Sequence, residues 1–410
     1  MKLNPFENKH IILGVTGSIA CYKAADLASK LTQAGALVDV LLTQSALQFV
    51  TPLTFQSVTG RRAYTDSDLW GNEAHVLHVG LSHGTDLLVI APATANTIAK
   101  LAHGSADNLL SVTALAAASP LLIAPAMDAG MFNHPATQAN LVTLRQRGVT
   151  IVGPGEGHLA SGLSGPGRML EPAEILGAIR LALARRQPAS AHTLIGRKVV
   201  VTAGGTQEPI DPVRVIANRS SGKQGIALAQ AALDLGAEVV LIAGVTCLPG
   251  PYGAQRIDVQ TANEMLKAVL TESARADALL MAAAVADFRP AVIAAQKMKK
   301  EAGLPEIKLE KTPDILTAVG QVKSKSGYPR VTVGFAAESQ HLLENAGRKL
   351  TTKKLDLIAA NDISAEDAGF GVDTNRVTLL FHDGRIEALP LMSKDDVAAI
   401  VMDKVAELLQ

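Results

Sequence analysis

The 410-residue chain has only two cysteines, Cys21 and Cys247, and no excess of charge, because 38 basic residues are matched by 38 acidic ones. Two thiols in apolar-rich stretches cannot build a disulfide framework or a thiolate metal site, and they suit a reducing cytoplasm. Balanced charge leaves no electrostatic footprint for nucleic acid or an anionic membrane, so small molecules are the expected partners. Long hydrophobic runs are also missing. No apolar stretch reaches membrane-spanning length without a charge or a turn breaker, and residues 1–8 lack the apolar core of a signal peptide. These absences lead to the expectation of a soluble cytoplasmic protein. The length exceeds one ordinary core, which makes two domains the expectation, and the apolar content is ample for both.

The stretch from Val199 to Gly225 holds the densest local signal. A β-branched run ends at Gly204-Gly205, passes a turn stiffened by Pro209 and Pro212, and enters a helix at Ser220-Ser-Gly-Lys223. The first-turn N–H groups, with the Ser220 and Ser221 hydroxyls and Lys223, suit a phosphate. An ordinary serine N-cap on a core helix suits the same residues, and the local pattern leaves both open. It is not a Walker A loop: no glycine stands at the required distance before Gly222-Lys223, and Gln224 replaces the needed Ser or Thr.

From the beginning of the chain, residues 10–20 read as a buried strand running into a tight glycine turn. Ala20, Ala24, Leu27 and Leu31 then fall at helical spacing up to Gly35, a natural helix stop. Further strands are expected at 37–43, 86–91, 121–124 and 149–152, with helices between them. That alternation predicts an α/β fold with a parallel, doubly wound sheet and ligands at the carboxyl ends of its strands. Gly14-Val-Thr-Gly-Ser-Ile-Ala20 has G-x-x-G-x-x-A spacing rather than the dinucleotide G-x-G-x-x-G, and Asp39 lies inside its strand instead of at the tip. NAD is therefore the weaker reading. Thr43 with the first turn suits a single phosphate monoester such as that of FMN, and a purely structural turn is the alternative.

Residues 187–193 read as a linker, and a second domain starts at Leu194. Its helix runs from Gly222 to Gly236. Strands follow at 237–242, 278–284, 331–335 and 357–360, then a hairpin of the I′ kind, 376–382 with 385–389, turning at Asp383-Gly384. Ser393 with Asp396 opens the last helix. Gln296-Lys-Met-Lys-Lys300, with Gly303 and Pro305 beyond it, has the look of a mobile basic loop. Lys311, Lys349, Lys353 and Lys354 add cations, any one of which alone is more often a solvated face than part of a site. A helix terminus gives an anion only about 0.3–1 kcal/mol at an exposed site, so a triphosphate needs several lysines and Mg²⁺.

Taken together, Gly14 to Ala20, Ala91-Pro-Ala-Thr-Ala-Asn96, Pro125-Ala-Met127, Gly165-Pro-Gly-Arg-Met169, Thr202-Ala-Gly-Gly-Thr206, Asn218-Arg-Ser-Ser-Gly-Lys223, Ala282-Ala-Ala-Val-Ala-Asp287, Lys297-Met-Lys-Lys300, Gly334-Phe-Ala-Ala-Glu338 and Ala360-Asn-Asp362 resemble a known family over nearly the whole chain. The family is that of the bifunctional phosphopantothenoylcysteine decarboxylases/phosphopantothenate–cysteine ligases of coenzyme A synthesis. The resemblance implies a flavodoxin-like FMN domain at 1–187, a linker at 188–193 and a Rossmann-like ligase domain at 194–410. It also implies homo-oligomers, with trimeric flavin domains and dimeric ligase domains.

For the ligase half the resemblance implies that the 4′-phosphopantothenate carboxylate attacks the α-phosphate of CTP and that pyrophosphate leaves. The cysteine amine then displaces CMP. Asn218 would hold the acyl phosphate and Lys297 would close from its loop. The nucleotide would contact Met281, Ala282, Ala283, Asp287, Lys311, Thr312, Pro313, Asp314, Phe335, Lys349 and Lys353, with Thr312 standing where Asn is common.

For the flavin half it implies thiol oxidation by FMN, loss of CO₂ and return of hydride to the enethiol. FMN would contact Gly17, Ser18, Ile19, Thr43, the turn Ala93, Thr94, Ala95, Asn96, and then Ala126 and Met127. His78, rather than His75, matches the active-site histidine. Two positions depart from the family. Asp128 stands where many relatives have Asn, and Ser161 stands where they carry a proton-donating Cys in the flap over the substrate. A serine hydroxyl is a far weaker acid than a thiol of pKa about 8.5. The replacement acid is expected among His158, Asp128 with a pKa raised by burial, and a water held by Ser161; alternatively Asp128 is an anion that orients the substrate amide. An active ligase joined to a flavin domain that binds FMN but decarboxylates poorly is the competing reading.

Overall fold

The computed structural model describes residues 4–70, 76–188, 191–299, 306–338, 341–362 and 372–410. Chain contacts divide it into two units, 4–186 and 187–410. Among the described residues no helix is long and apolar enough to cross a membrane.

The first unit alternates strand and helix as its apolar runs dictate. Its elements are β1 His10–Val15, α1 Cys21–Gln33, β2 Leu37–Leu42, α2 Pro52–Thr59, β3 Ala63–Thr65, α3 Leu77–Ser82 and β4 Leu87–Ala93. Then come α4 Ala95–His103, α5 Leu109–Ala116, β5 Leu121–Pro125, α6 Ala129–Asn133, α7 Pro135–Gln146 and β6 Thr150–Ile151. A hairpin, β7 Gly155–His158 with β8 Ser164–Arg168, precedes α8 Pro172–Ala184. The parallel sheet has the order β3-β2-β1-β4-β5-β6. Without the three-residue edge strand β3 this is the flavodoxin order, whose switch point lies between β1 and β4. Period-two alternation sends Ile12, Leu41, Leu88, Ile90 and Ile123 to one face, where Leu81, Ile98, Leu110, Leu141 and Leu144 from α3, α4, α5 and α7 cover them. Asp39 is buried within β2 and used there: Arg61 donates to it at 2.7 and 2.9 Å, and His10 sits 2.5 Å away. Its carboxylate is committed inside the fold rather than at the strand tip.

The second unit begins with β9 Lys198–Ala203, the short pair β10 Gln207–Pro209 and β11 Val215–Ala217, α9 Lys223–Asp234, β12 Glu238–Ala243 and β13 Gln255–Asp258. It continues with α10 Ala262–Ser273, β14 Ala278–Met281, the pair β15 Phe288–Pro290 and β16 Leu309–Lys311, α11 Ile315–Ser326 and β17 Val331–Glu338. The last elements are α12 Leu342–Thr352, β18 Leu357–Asp362, β19 Thr374–Asn375, β20 Val377–Phe381, β21 Ile386–Ala388, β22 Met392–Ser393 and α13 Lys394–Leu408. The main sheet, β13-β12-β9-β14-β17-β18-β20-β21, is parallel through β18 and antiparallel beyond it. Val199, Val201, Leu241 and Leu280 meet α9 and α13 on one face. Val200, Val240, Ile242 and Leu279 meet α10 and α11 on the other. Each such side chain, fully buried, contributes about 1.5–3 kcal/mol of transfer free energy.

Two local expectations need correction. The Ser220 helix start moves to Lys223, with Gly222 as a left-handed N-cap, because the Ser220 and Ser221 hydroxyls accept the N–H groups of Gly222 and Lys223 in a turn ahead of the helix. The β20–β21 hairpin is not of the I′ kind. Leu380 pairs with Ile386 and Phe381 N–H donates to Arg385 O, leaving a three-residue loop in which only Gly384 has positive φ. An Asp at 383 has no reason to adopt the left-handed conformation when the glycine can take it alone. Although both cysteines stand in apolar-rich stretches, Cys21 is buried and Cys247 is exposed; both are free thiols. Within the linker, Ala189 and Ser190 lie outside the described residues, as do His75, Lys300, Gly303 and Pro305.

Candidate functional site

At the carboxyl ends of β1, β2, β4 and β5 lies a cleft of about 820 Å³. Thr16 ties two of its turns together, donating to Pro92 O at 2.7 Å and accepting Thr94 N–H at 3.1 Å. Thr94 in turn caps α4 by accepting Thr97 N–H, so the first turn of that helix opens into the cleft. Of the expected contacts, Gly17, Ser18, Ile19 and Thr43 line it on one side. Thr94, Ala95, Asn96, Ala126 and Met127 line it on the other. Ala93 does not: it is fully buried, and its carbonyl accepts Ala126 N–H.

The β7–β8 hairpin is fastened to this cleft through Gly167. Met127 N–H donates to Gly167 O at 3.0 Å, and a Cβ at 167 would stand 2.2 Å from the Met127 carbonyl oxygen, at a φ of +141°. Only glycine satisfies both conditions. Ser161, in the hairpin turn, donates to Asp128 Oδ2 at 2.6 Å, and Gly130 N–H donates to Oδ1 at 3.0 Å. The Ser161 hydrogen bond, and after it the Gly130 N–H, hold the Asp128 carboxyl below the usual aspartate range. The expectation of an Asp128 pKa raised by burial is thereby overturned, because two donors stabilise its anion on a half-exposed residue. His158 and Arg168 also line the cleft. Lys23 went unnoticed in the sequence. It is 5% exposed, lines the cleft, and donates to Met169 O at 3.0 Å and to Glu171 at 2.9 Å. His78 stands on α3 and is not among the residues lining its own chain's cleft. Its buried Nδ1 has no partner among the described residues.

A second cleft, of about 990 Å³, lies at the carboxyl ends of β9, β14, β17 and β18. The Thr202-Ala-Gly-Gly-Thr206 signature acts from beneath it. Thr202 Oγ1 accepts Ala283 N–H at 3.1 Å and Thr206 Oγ1 accepts Ala286 N–H at 2.9 Å, which fixes the loop after β14. Thr312 holds the same loop from the far side, donating to Ala286 O at 2.6 Å while its N–H donates to Asp287 O at 3.0 Å. Gly225 lets α9 lie against β9: a Cβ there would meet Ala203 Cβ at 2.5 Å and Thr202 O at 2.6 Å.

Met281, Ala282, Ala283 and Asp287 line this cleft, as do Lys311, Thr312, Pro313 and Asp314, and then Phe335, Lys349 and Lys353. Asn218 joins them and donates to Val285 O at 2.9 Å. Burial pushes the Asp314 carboxyl up, but the Lys353 ammonium and the Thr317 N–H outweigh it and the pKa is lowered. Lys297 is not brought in with the others. It is exposed, and its neighbour Met298 is clasped away from the cleft lining: Met298 N–H donates to buried Asp211 at 3.2 Å, and Arg214 donates to Met298 O at 3.2 Å. Lys394 and Asn375 line the cleft without having been foreseen.

Residues 194–409 match the family described as DNA/pantothenate metabolism flavoprotein C-terminal domain, and residues 2–183 match the family described as Flavoprotein. The chain is 46% identical over 402 residues to the coenzyme A biosynthesis bifunctional protein CoaBC of Bacillus subtilis (strain 168), covering 98% of this chain and 97% of that one. The chain belongs to the CoaBC family. The CoaBC protein of Mycobacterium tuberculosis (strain ATCC 25618 / H37Rv) is 44% identical over 409 residues, covering 98% of this chain and 97% of that one. A solved C-terminal domain of a CoaBC protein is 37% identical, covering 53% of this chain and 98% of that chain at a TM-score of 0.45. As a CoaBC member the chain is a bifunctional enzyme of coenzyme A biosynthesis, with a flavoprotein decarboxylase half and a ligase half.

Proposed function

We propose that the ligase domain, 194–410, joins cysteine to 4′-phosphopantothenate at the expense of CTP, and that the flavin domain, 1–187, decarboxylates the product to 4′-phosphopantetheine. The linker is 188–193. The cytoplasm is the compartment for both reactions, and the working form is a homo-oligomer with trimeric flavin domains and dimeric ligase domains. The observation that carries the reading is the convergence of the family's motif residues, far apart in the chain, on two clefts at the carboxyl ends of two parallel sheets.

In the ligase cleft the substrate carboxylate attacks the α-phosphate, a P–O bond forms and pyrophosphate leaves. The cysteine amine then forms the amide C–N bond and CMP departs. Asn218 holds the acyl phosphate, Lys349 and Lys353 meet phosphate charge, and Lys297 supplies a further cation after leaving its present position. Positioning and charge neutralisation are the main contributions of such a site. Among the described residues no group of three or more His, Cys, Asp or Glu gathers to hold a metal. Mg²⁺ enters on the nucleotide phosphates, as this cation ordinarily does at a nucleotide site.

The first cleft fits FMN: its volume is in the range of cofactor sites, and the opening turn of α4 with Ser18 and Thr43 presents donors to one phosphate. FMN bound there supplies a two-electron acceptor and donor. The chain's residues supply the rest. Asp128, as an anion, orients the substrate amide, the hairpin excludes water, and His158 delivers the proton at carbon as the general acid. His78 approaches the cleft of a neighbouring copy in the oligomer. A second reading, an active ligase with a poorly decarboxylating flavin half, is favoured by one observation: Ser161 and the anionic Asp128 are both poor acids.

The test supplies the full chain with CTP, Mg²⁺, 4′-phosphopantothenate and cysteine, and follows CMP and CO₂ separately. CMP and CO₂ together support the first reading. CMP without CO₂ selects the second, and neither product removes both.

A further inference from the structure

One corner of the ligase cleft, formed by Lys223, Gln224, Asn375 and Lys394, has no role in the reading above. Its hydrogen bonds have a fixed direction. The Lys394 backbone carbonyl can only accept, so Gln224 gives it an Nε2–H at 3.2 Å and turns Oε1 the other way. That oxygen accepts Asn375 Nδ2–H at 3.0 Å, which leaves Oδ1 as the uncommitted acceptor of a residue that lines the cleft. Asn375 is 4% exposed, and its Oδ1 has no partner among the described residues. Buried acceptors are normally paired, so the arriving ligand must bring an N–H or O–H.

The same corner carries positive charge. Lys394, 7% exposed, donates to Val372 O and lines the cleft. Burial, and then the charge of Lys223, lower its pKa against the opposing pull of the Asp373 carboxylate. Lys223 lines the cleft too and pairs with Asp373, whose side chain is 85% exposed. An ionised phosphate would satisfy the lysines but set another acceptor against Asn375 Oδ1. An α-amino acid satisfies both, with a carboxylate for the cations and an amino group for the acceptor. Lys223 and Gln224 also open α9, directly after the loop that carries Asn218.

We propose that the Lys223–Asn375–Lys394 corner is the cysteine subsite of the ligase, with the carboxylate facing the two ammonium groups and the amino group donating to Asn375 Oδ1. The proposal rests on the ligase reading and adds to it the place of the amine substrate.

The experiment uses the full chain with CTP, Mg²⁺ and 4′-phosphopantothenate, and compares cysteine with cysteamine, which lacks the carboxylate, as the acceptor amine. Pyrophosphate release without any amine reads the first step alone. The wild-type protein is expected to prefer cysteine in kcat/KM by about tenfold or more. Lys394→Met should remove that preference by lowering only the cysteine value, with KM for CTP and pyrophosphate release unchanged, and Lys394→Arg should restore part of it. Asn375→Leu should lower kcat/KM for both amines. A wild-type protein indifferent to the carboxylate overturns the proposal independently of any variant. So does Lys394→Met with a raised KM for CTP and an intact preference, which would make the corner a phosphate site. If the wild-type protein releases no pyrophosphate from CTP and 4′-phosphopantothenate, the ligase reading itself falls and the subsite falls with it.

Discussion

Asp128 accepts two hydrogen bonds, from Ser161 and from Gly130, so its proton is held less tightly than in an unfolded chain. The sign of the linkage follows: a depressed carboxyl pKa contributes stability that is fully present above the unfolded value of about 3.9 and is lost as pH falls through the folded one. Between pH 5 and 8, therefore, the pH profile of 4′-phosphopantetheine formation should contain no limb from Asp128, and Asp128→Asn should keep its shape. A limb in that window that vanishes in Asp128→Asn would make Asp128 the proton donor and contradict the assignment. His158→Gln should slow 4′-phosphopantetheine formation by about 100-fold or more while CO₂ is still released, because a general acid contributes on that scale. Equal loss of CO₂ and of 4′-phosphopantetheine would instead give His158 a role before the protonation. The candidates were legible in the chain, but the choice among them was not. Asp128 and Ser161 stood out only as departures from a family pattern, and their contact depends on how the hairpin folds back.

Elements set the sites through a few close approaches. Gly167→Ala would press a methyl group onto the Met127 carbonyl at a φ that alanine avoids, so β8 must lift from the cleft. The expected result is loss of CO₂ release with CMP release preserved, and undiminished CO₂ release would show that the hairpin need not dock. Gly225→Ala makes the matching test in the ligase half. A methyl group 2.5 Å from Ala203 Cβ is overpacked by about 1–3 kcal/mol, so thermal denaturation should shift downward and CMP release should fall. An unchanged melting temperature with full activity would mean that α9 has room to move. The strands and helices of both sheets were legible because their apolar periods are strong. The β7–β8 hairpin was not legible as strands, since Gly-Glu-Gly-His and Ser-Gly-Pro-Gly-Arg oppose β propensity, and contacts with Met127 and Asp128 help to order them. The clasp of Asp211 and Arg214 on Met298 joins residues more than eighty positions apart and left no local trace.

At the scale of the whole molecule, two parallel sheets each gather distant motifs at their carboxyl ends, and each cleft is lined from within a single unit. Most of both linings was legible because strand-end loops carry the chemistry in such folds. Lys394 and Asn375 escaped notice because they reach the Lys223 corner from the other end of the unit, on a segment whose sequence advertises only a helix cap at Ser393. Separate clefts also imply separable losses. Asn218→Asp should abolish CMP release, yet the same protein given phosphopantothenoylcysteine should release CO₂ at the wild-type rate; a matching loss of both would tie the sites together. The most direct measurement gives the full-length protein cysteine labelled at its carboxyl carbon, with CTP, Mg²⁺ and 4′-phosphopantothenate, and counts labelled CO₂ against CMP. Equal amounts, with no label in 4′-phosphopantetheine, are what two consecutive active sites on one chain predict. CMP accumulating with the label retained in phosphopantothenoylcysteine would contradict it.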